Sequence, residues 1–176
     1  RPTRAEAVYR TLMLLDKEGR LDLAKATQTL SAEALLWRGD ALEASMQGML
    51  ADLYFRSGEY RQGFESVMAA VASDPDSRDV QALSDNAQKT FNELFLNGLA
   101  DSIGPVEALS IYYDFRQLTP PGTRGDEMIR NLARRLVRVD LLPQAAELLK
   151  YQLDNRLRGV ARTQVASDLA VIYLAD

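Results

Sequence analysis

Hydrophobic positions recur every three or four residues along almost the whole chain, and the two-residue alternation of a half-buried strand is hard to find. Val80, Leu83, Ala87, Phe91, Leu94 and Gly98 step along one face of a long helix, and Ile129, Leu132, Ala133, Leu136 and Val137 do the same in a shorter one. Boundary residues agree with this period. Asp40 followed by Glu43 has the form of a capping box. Pro105 and Pro143 sit where a first helical position would fall, because a missing N–H costs nothing there. Gly19, Gly58, Gly104 and Gly159 each follow a helical run, where a left-handed cap favours glycine. Residues 74–77 (Asp-Pro-Asp-Ser) and 119–122 (Thr-Pro-Pro-Gly) read as turns. The pattern predicts nine helices, near 3–18, 21–37, 41–57, 60–73, 78–102, 105–118, 124–140, 143–157 and 160–175. Thr27, Thr29 and Ser31 weaken the second of them. The connections are short, so consecutive helices are expected as antiparallel neighbours in an all-α fold.

Composition narrows the chemistry. The 176 residues are 47% hydrophobic, enough to build a core. The formal net charge of -4 argues against nucleic acid as a partner by bulk charge. With no Cys there is no disulfide, thiol nucleophile or iron–sulfur ligation, and with no His there is no Ser-His or Cys-His catalysis. No apolar run approaches the ~20 residues of a spanning helix. The chain opens Arg1-Pro2-Thr3 and stops in an apolar stretch, Val171 to Asp176, so it is read as a fragment of a larger protein. The compartment, cytoplasm or periplasm, is left open.

A repeat lies within this helical pattern. In 44–77, Leu50 and Ala51 are followed by Tyr54, Gly58, Tyr60, Gly63, Val67, Ala70 and Pro75. A small residue recurs in the second helix of each pair at Ala24, Gly63, Ala108 and Ala145, and a large one in the first at Leu15, Tyr54, Leu99, Leu136 and Tyr173. Both series advance by 39, 45 and 37 residues. Residues 44–77 resemble the tetratricopeptide repeat, with Gln47 where that family prefers Trp and Val67 in place of an aromatic. Ala108, Tyr112, Phe115 and Pro120 match the second helix of the same pattern, although the spacing exceeds the ~34 residues of a standard repeat. The resemblance implies one domain over 1–176, a right-handed α-α superhelix of antiparallel helix pairs. Its units would be 5–38, 44–77, 89–122 and 126–159 with a truncated 163–176. It further implies a scaffold that binds a peptide or partner protein in a concave groove lined by the first helices.

Candidate contacts come from that frame. Arg130, Arg134 and Arg138 are four apart, so they share a helix face, and from Met128 to Arg138 there are four Arg and no acid. Such a row suits bidentate capture of carboxylates or phosphates, so the expected partner is a protein or peptide, with an acidic one as the reading this row favours. The competing reading is a solvated basic face paired with acids of the neighbouring helix. In 44–77 the frame turns Ser45, Gly48, Met49, Asp52 and Phe55 towards the groove, with Met49 and Phe55 as apolar contacts or as core. Gly48 costs ~1 kcal/mol against Ala within a helix, and close helix packing is the expected reason for it. Trp37 is expected at a buried helix end, and of Tyr112 and Tyr113 one is core and the other surface. In the resembled family some members grip a terminal carboxylate with Lys and Asn. Glu93 beside Asn97 has the wrong sign for that, so the activity is not expected.

No catalytic, cofactor or metal motif stands out. The acids are scattered, and Gly122-Thr123-Arg124-Gly125 lacks the spacing and the Lys of a phosphate loop. The expectation is a non-enzymatic scaffold, and the alternative is a non-catalytic superhelical segment of a larger bacterial envelope or cell-wall enzyme. The bacterial assignment rests on Leu/Ala/Arg-rich composition. Self-association is expected as an option at the Tyr173 face, because an uncapped repeat end is sticky.

Overall fold

The computed structural model describes residues 3–38, 41–156 and 159–175, without the side chains of 160 and 161. The described residues are all-helical and contain no strand. The helices are α1 (Arg4–Lys17), α2 (Leu23–Leu36), α3 (Ala41–Arg56), α4 (Tyr60–Ser73), α5 (Arg78–Leu96), α6 (Pro105–Asp114), α7 (Thr123–Arg138), α8 (Leu142–Asn155) and α9 (Gly159–Ala175). Two short 3-10 segments, Leu99–Ser102 and Arg116–Leu118, follow α5 and α6.

Three expectations about boundaries are corrected. The run expected over 78–102 stops at Leu96, because Gly98 takes a left-handed φ of 85° and the chain tightens into the first 3-10 segment. Gly104 is not a left-handed cap: with φ -61° and ψ 148° it is the extended residue that precedes Pro105, the first residue of α6. Gly159 opens α9 rather than closing α8. The Asp40 half of the expected capping box lies outside the described residues. Glu43 is buried and meets Arg38 at 3.2 Å.

The chain divides into two compact units, Arg1–Gln88 and Lys89–Asp176, and the division falls within α5. In the first unit, Leu30, Met46, Leu50 and Leu53 form a core shared by α1, α2 and α3, with Trp37 and Tyr54 packed against it. Glu33, buried on α2, is held by Arg4 of α1 at 2.8 Å, which compensates its desolvation. Ala44, Ala70 and Val80 pack α3, α4 and the start of α5 together. In the second unit an aromatic group fills the space between α5 and α6: Phe91, Phe95 and Tyr112 have ring centroids 4.8–5.9 Å apart.

One hairpin closure recurs three times. After α1, Gly19 has φ 68°, and the amides of Gly19 and Arg20 donate to the Asp16 and Leu15 carbonyls at 3.0 and 2.9 Å. After α3, Gly58 has φ 75°, and Gly58 and Glu59 donate to Phe55 and Tyr54 at 3.2 and 2.9 Å. After α7, Asp140 takes φ 61°, and Asp140 and Leu141 donate to Val137 and Leu136 at 3.0 and 2.8 Å. This is the Schellman pattern, which satisfies carbonyls that a helix end otherwise leaves bare. Leu15, Tyr54 and Leu136 are large positions of the expected frame, and each of these closures has its left-handed residue four positions after one of them. The frame fails elsewhere: Gly63, Ala108 and Ala145 are buried, but Ala24 is exposed. At Leu99, Ile103 stands where the other units have their left-handed residue, and its φ is -119°.

Candidate functional site

Helix α7 is sharply two-faced. Met128, Ile129, Leu132, Ala133 and Leu136 are buried, and Arg130, Arg134 and Arg138 are exposed along its other side. Successive members of the row are four residues apart, a rise of about 6 Å along the axis. All three line a cavity of about 800 Å³ bounded by the end of α5, by α7 and by α9. Leu94, Phe95, Val137, Leu149, Val171 and Ile172 give it carbon.

The four arginines of α7 have two different roles. Arg135 turns inward, with its side chain 15% exposed. Its guanidinium donates to the carbonyls of Ala100, at 2.7 Å, and of Ile103. It therefore caps the 3-10 segment after α5, and Asp101 lies 3.7 Å away. Among the described residues Arg134 donates only to the Asn131 side-chain oxygen, at 3.1 Å, and Asn131 in turn donates to the Phe95 carbonyl at 3.2 Å. Arg130 and Arg138 have no hydrogen-bond or ion-pair partner among the described residues. The pairing with acids of a neighbouring helix is thus not found: no carboxylate of the described residues forms an ion pair with Arg130, Arg134 or Arg138.

The candidates of the first unit separate. Met49 and Asp52 line a cleft of about 700 Å³ together with Ser45 and Gly48 of α3, Met13 of α1 and Leu83 of α5. Asp52 is engaged, because Arg56 binds it and Asp16 of α1, each at 3.0 Å. The two carboxylates hold the Arg56 guanidinium above its ordinary pKa, chiefly through these hydrogen bonds. Phe55, expected to face the groove, does not line this cleft. Its ring lies over Gly63 of α4, where a Cβ would overlap it, and meets Phe64 edge-on at 5.1 Å. The expectation failed because the space that accepts the ring is made by a glycine on the next helix. Gly48 is also reread. A Cβ there would meet Leu83 at 3.6 Å, an ordinary contact, so close packing does not require the glycine.

Tyr112 is core, as one of the pair had to be. Tyr113, the expected surface partner, is half-buried against Tyr151 at a centroid distance of 6.2 Å. Burial, aided by Glu147, pushes its phenol up to about 12, so it stays protonated at neutral pH. Trp37 is half-buried as the cap residue of α2.

Sequence reasoning missed two features. One is the carbon that accompanies the arginine row: Leu94 belongs to the apolar stripe of α5, but only the fold brings it to α7 and α9. The other is a latch at the start of α7. Arg156, the cap residue that follows α8, binds Asp126 at 3.0 Å and donates to the Pro120 carbonyl at 3.0 Å, while Gln152 of α8 donates to the Asp126 carbonyl at 3.2 Å. Gly125 makes room for this, because a Cβ would overlap both the Pro120 carbonyl and the Arg156 guanidinium.

Among the described residues no group of acids is placed to hold a metal ion, and no helix is long and apolar enough to cross a membrane. The chain matches no family model, no curated protein and no solved structure.

Proposed function

We propose that this chain is a protein–protein interaction scaffold of the tetratricopeptide-repeat kind, whose helix pairs stack into a right-handed superhelix and whose arginine-lined cavity holds an acidic segment of a partner. One observation carries the reading. Arg130, Arg134 and Arg138 stand exposed and without an ion-pair partner beside a cavity walled largely by carbon. Side chains of this kind give a guanidinium donors for a carboxylate and leave the ligand's apolar residues a place to be buried. The recurrence of one hairpin closure at equivalent positions of the frame supports the repeat part of the reading.

The test is a capture experiment. The chain and an Arg130→Glu/Arg134→Glu version are used side by side as bait in a lysate of the source cells. The expected outcome is one protein retained by the first and lost by the second, at unchanged helical content by circular dichroism. Equal retention by both baits would remove the arginine row from the binding surface.

A further inference from the structure

The cavity beside α7 also constrains the shape of its ligand. We infer that the ligand is an acidic amphipathic helix lying along α7, with carboxylates at every fourth position against the arginine row and aliphatic side chains on the carbon floor. This rests on the reading of the cavity as a peptide site and adds the ligand's conformation and pattern.

Spacing sets the pattern but does not choose the conformation. The row advances about 6 Å per arginine, which a helix matches at i, i+4 and i+8. An extended chain with an acid at every second residue advances about 6.6–6.8 Å and would match nearly as well. The ligand's own backbone decides between them. Arginine donates and does not accept. The Asn131 amide is already committed at both ends, to Phe95 and to Arg134. Apart from two carboxylates, Asp101 and Asp168, the remaining side chains, among them Leu94, Val137, Val171 and Ile172, present carbon. The described residues have no strand edge along which an extended chain could pair. An extended ligand would therefore find side-chain acceptors for its peptide N–H groups only at Asp101 and Asp168 and would lay the others on carbon, each at the cost of an unmade hydrogen bond. A helix brings its backbone bonds with it. Val171, 67% exposed on α9, is the kind of side chain a docked helix would cover. Asp168 of α9 also lines the cavity. It repels an acidic edge, so the ligand's acids belong on the α7 side and a neutral or basic edge faces α9.

Other occupants fit less well. Among the described residues the only aromatic side chain lining the cavity is Phe95, 4% exposed, so no exposed ring offers a nucleobase a stacking platform, and the net charge of -4 opposes a polyanion. A second copy of the chain is not the ligand, because none of its helices carries acids at i, i+4 and i+8.

The test uses the full chain and three labelled probes, read by fluorescence anisotropy at low ionic strength. The first is a side-chain-stapled helical peptide of roughly four turns with Glu at i, i+4 and i+8 and Leu along the adjoining edge. The second has the same Glu and Leu residues around a central Pro, which breaks the helix. The third is a single-stranded oligonucleotide. The stapled peptide is expected to bind at least roughly tenfold more tightly than the Pro peptide. Arg130→Gln/Arg138→Gln should weaken it roughly tenfold, the product of two exposed pairs each worth a few-fold. Equal binding of the stapled and Pro peptides overturns the helical ligand and leaves an acidic-peptide site in place. A stapled peptide indifferent to the double substitution overturns the inference, as does an absence of binding by any probe. Tighter binding of the oligonucleotide overturns the inference and the peptide reading together.

Discussion

Replacing Gly125 by Ala tests whether the latch at the start of α7 holds the second unit together. In an exposed helix interior the same exchange stabilises by about 1 kcal/mol. Here the new Cβ would overlap the Pro120 carbonyl, which is backbone, and the guanidinium of Arg156. To relieve the overlap, the turn at 119–122 has to move or Arg156 has to leave. Either path breaks the 3.0 Å bond from Arg156 to Pro120, a charged hydrogen bond of the class worth about 1.5–3 kcal/mol. It also loosens an Arg156–Asp126 pair whose side chains are 18% and 17% exposed. Strain of about 1–3 kcal/mol accompanies overpacking in general. Against a propensity gain of about 1 kcal/mol, the net expectation is a loss of about 2–3 kcal/mol, which for a chain of this size lowers Tm by about 5–10 °C. Urea and thermal unfolding by circular dichroism measure it. A cycle with Arg156→Met sharpens the test. If the two side chains compete for one space, the double variant loses clearly less than the two single losses added together. Gly48→Ala is the internal control, because its Cβ has room at 3.6 Å from Leu83 and should stabilise by about 0.5–1 kcal/mol. A Gly125→Ala protein as stable as the parent, or more so, would refute the steric argument.

Two further outcomes follow from other residues. Asp140 holds the left-handed position that Gly19 and Gly58 hold elsewhere, so Asp140→Gly should raise stability by about 0.5–1 kcal/mol in the same urea assay, and a loss would mean that its side chain has an unseen role. Tyr113 binds its proton more tightly folded than unfolded. Its contribution is therefore complete below pH 10 and disappears as pH rises towards about 12, a fall that Tyr113→Phe should flatten in unfolding titrations across that window.

Local chemistry made much of this fold readable. The 3.6-residue period and the placement of Gly19, Gly58 and Pro105 fix element type and several ends without reference to the rest of the chain. The errors came where a distant residue decides. The apolar stripe of α5 continues in register through Gly98, so periodicity carries the helix to 102, whereas the left-handed Gly98 ends it. Phe55 has the right spacing to face a groove, but its ring goes where Gly63 leaves room. At the site, the four-residue step of Arg130, Arg134 and Arg138 is local and legible. Whether a neighbour neutralises them, and that Arg135 points inward instead, depends on the three-dimensional arrangement.

That inward arginine sets a schedule for folding. Three of the turns between helices close with their own backbone, using atoms no more than a few residues apart, so each can form as soon as its segment exists. The turn after α5 is different. The Ile103 carbonyl, and the Ala100 carbonyl that already accepts the Ile103 amide at 3.1 Å, are completed by a side chain 32–35 residues further along the chain. During synthesis, Leu99–Ser102 is made before the residue that fastens it. Until α7 docks, this junction lacks part of its fastening, as the turn at 119–122 does until Arg156 arrives, and both should gain protection from exchange later than the self-closed turns as the unit folds.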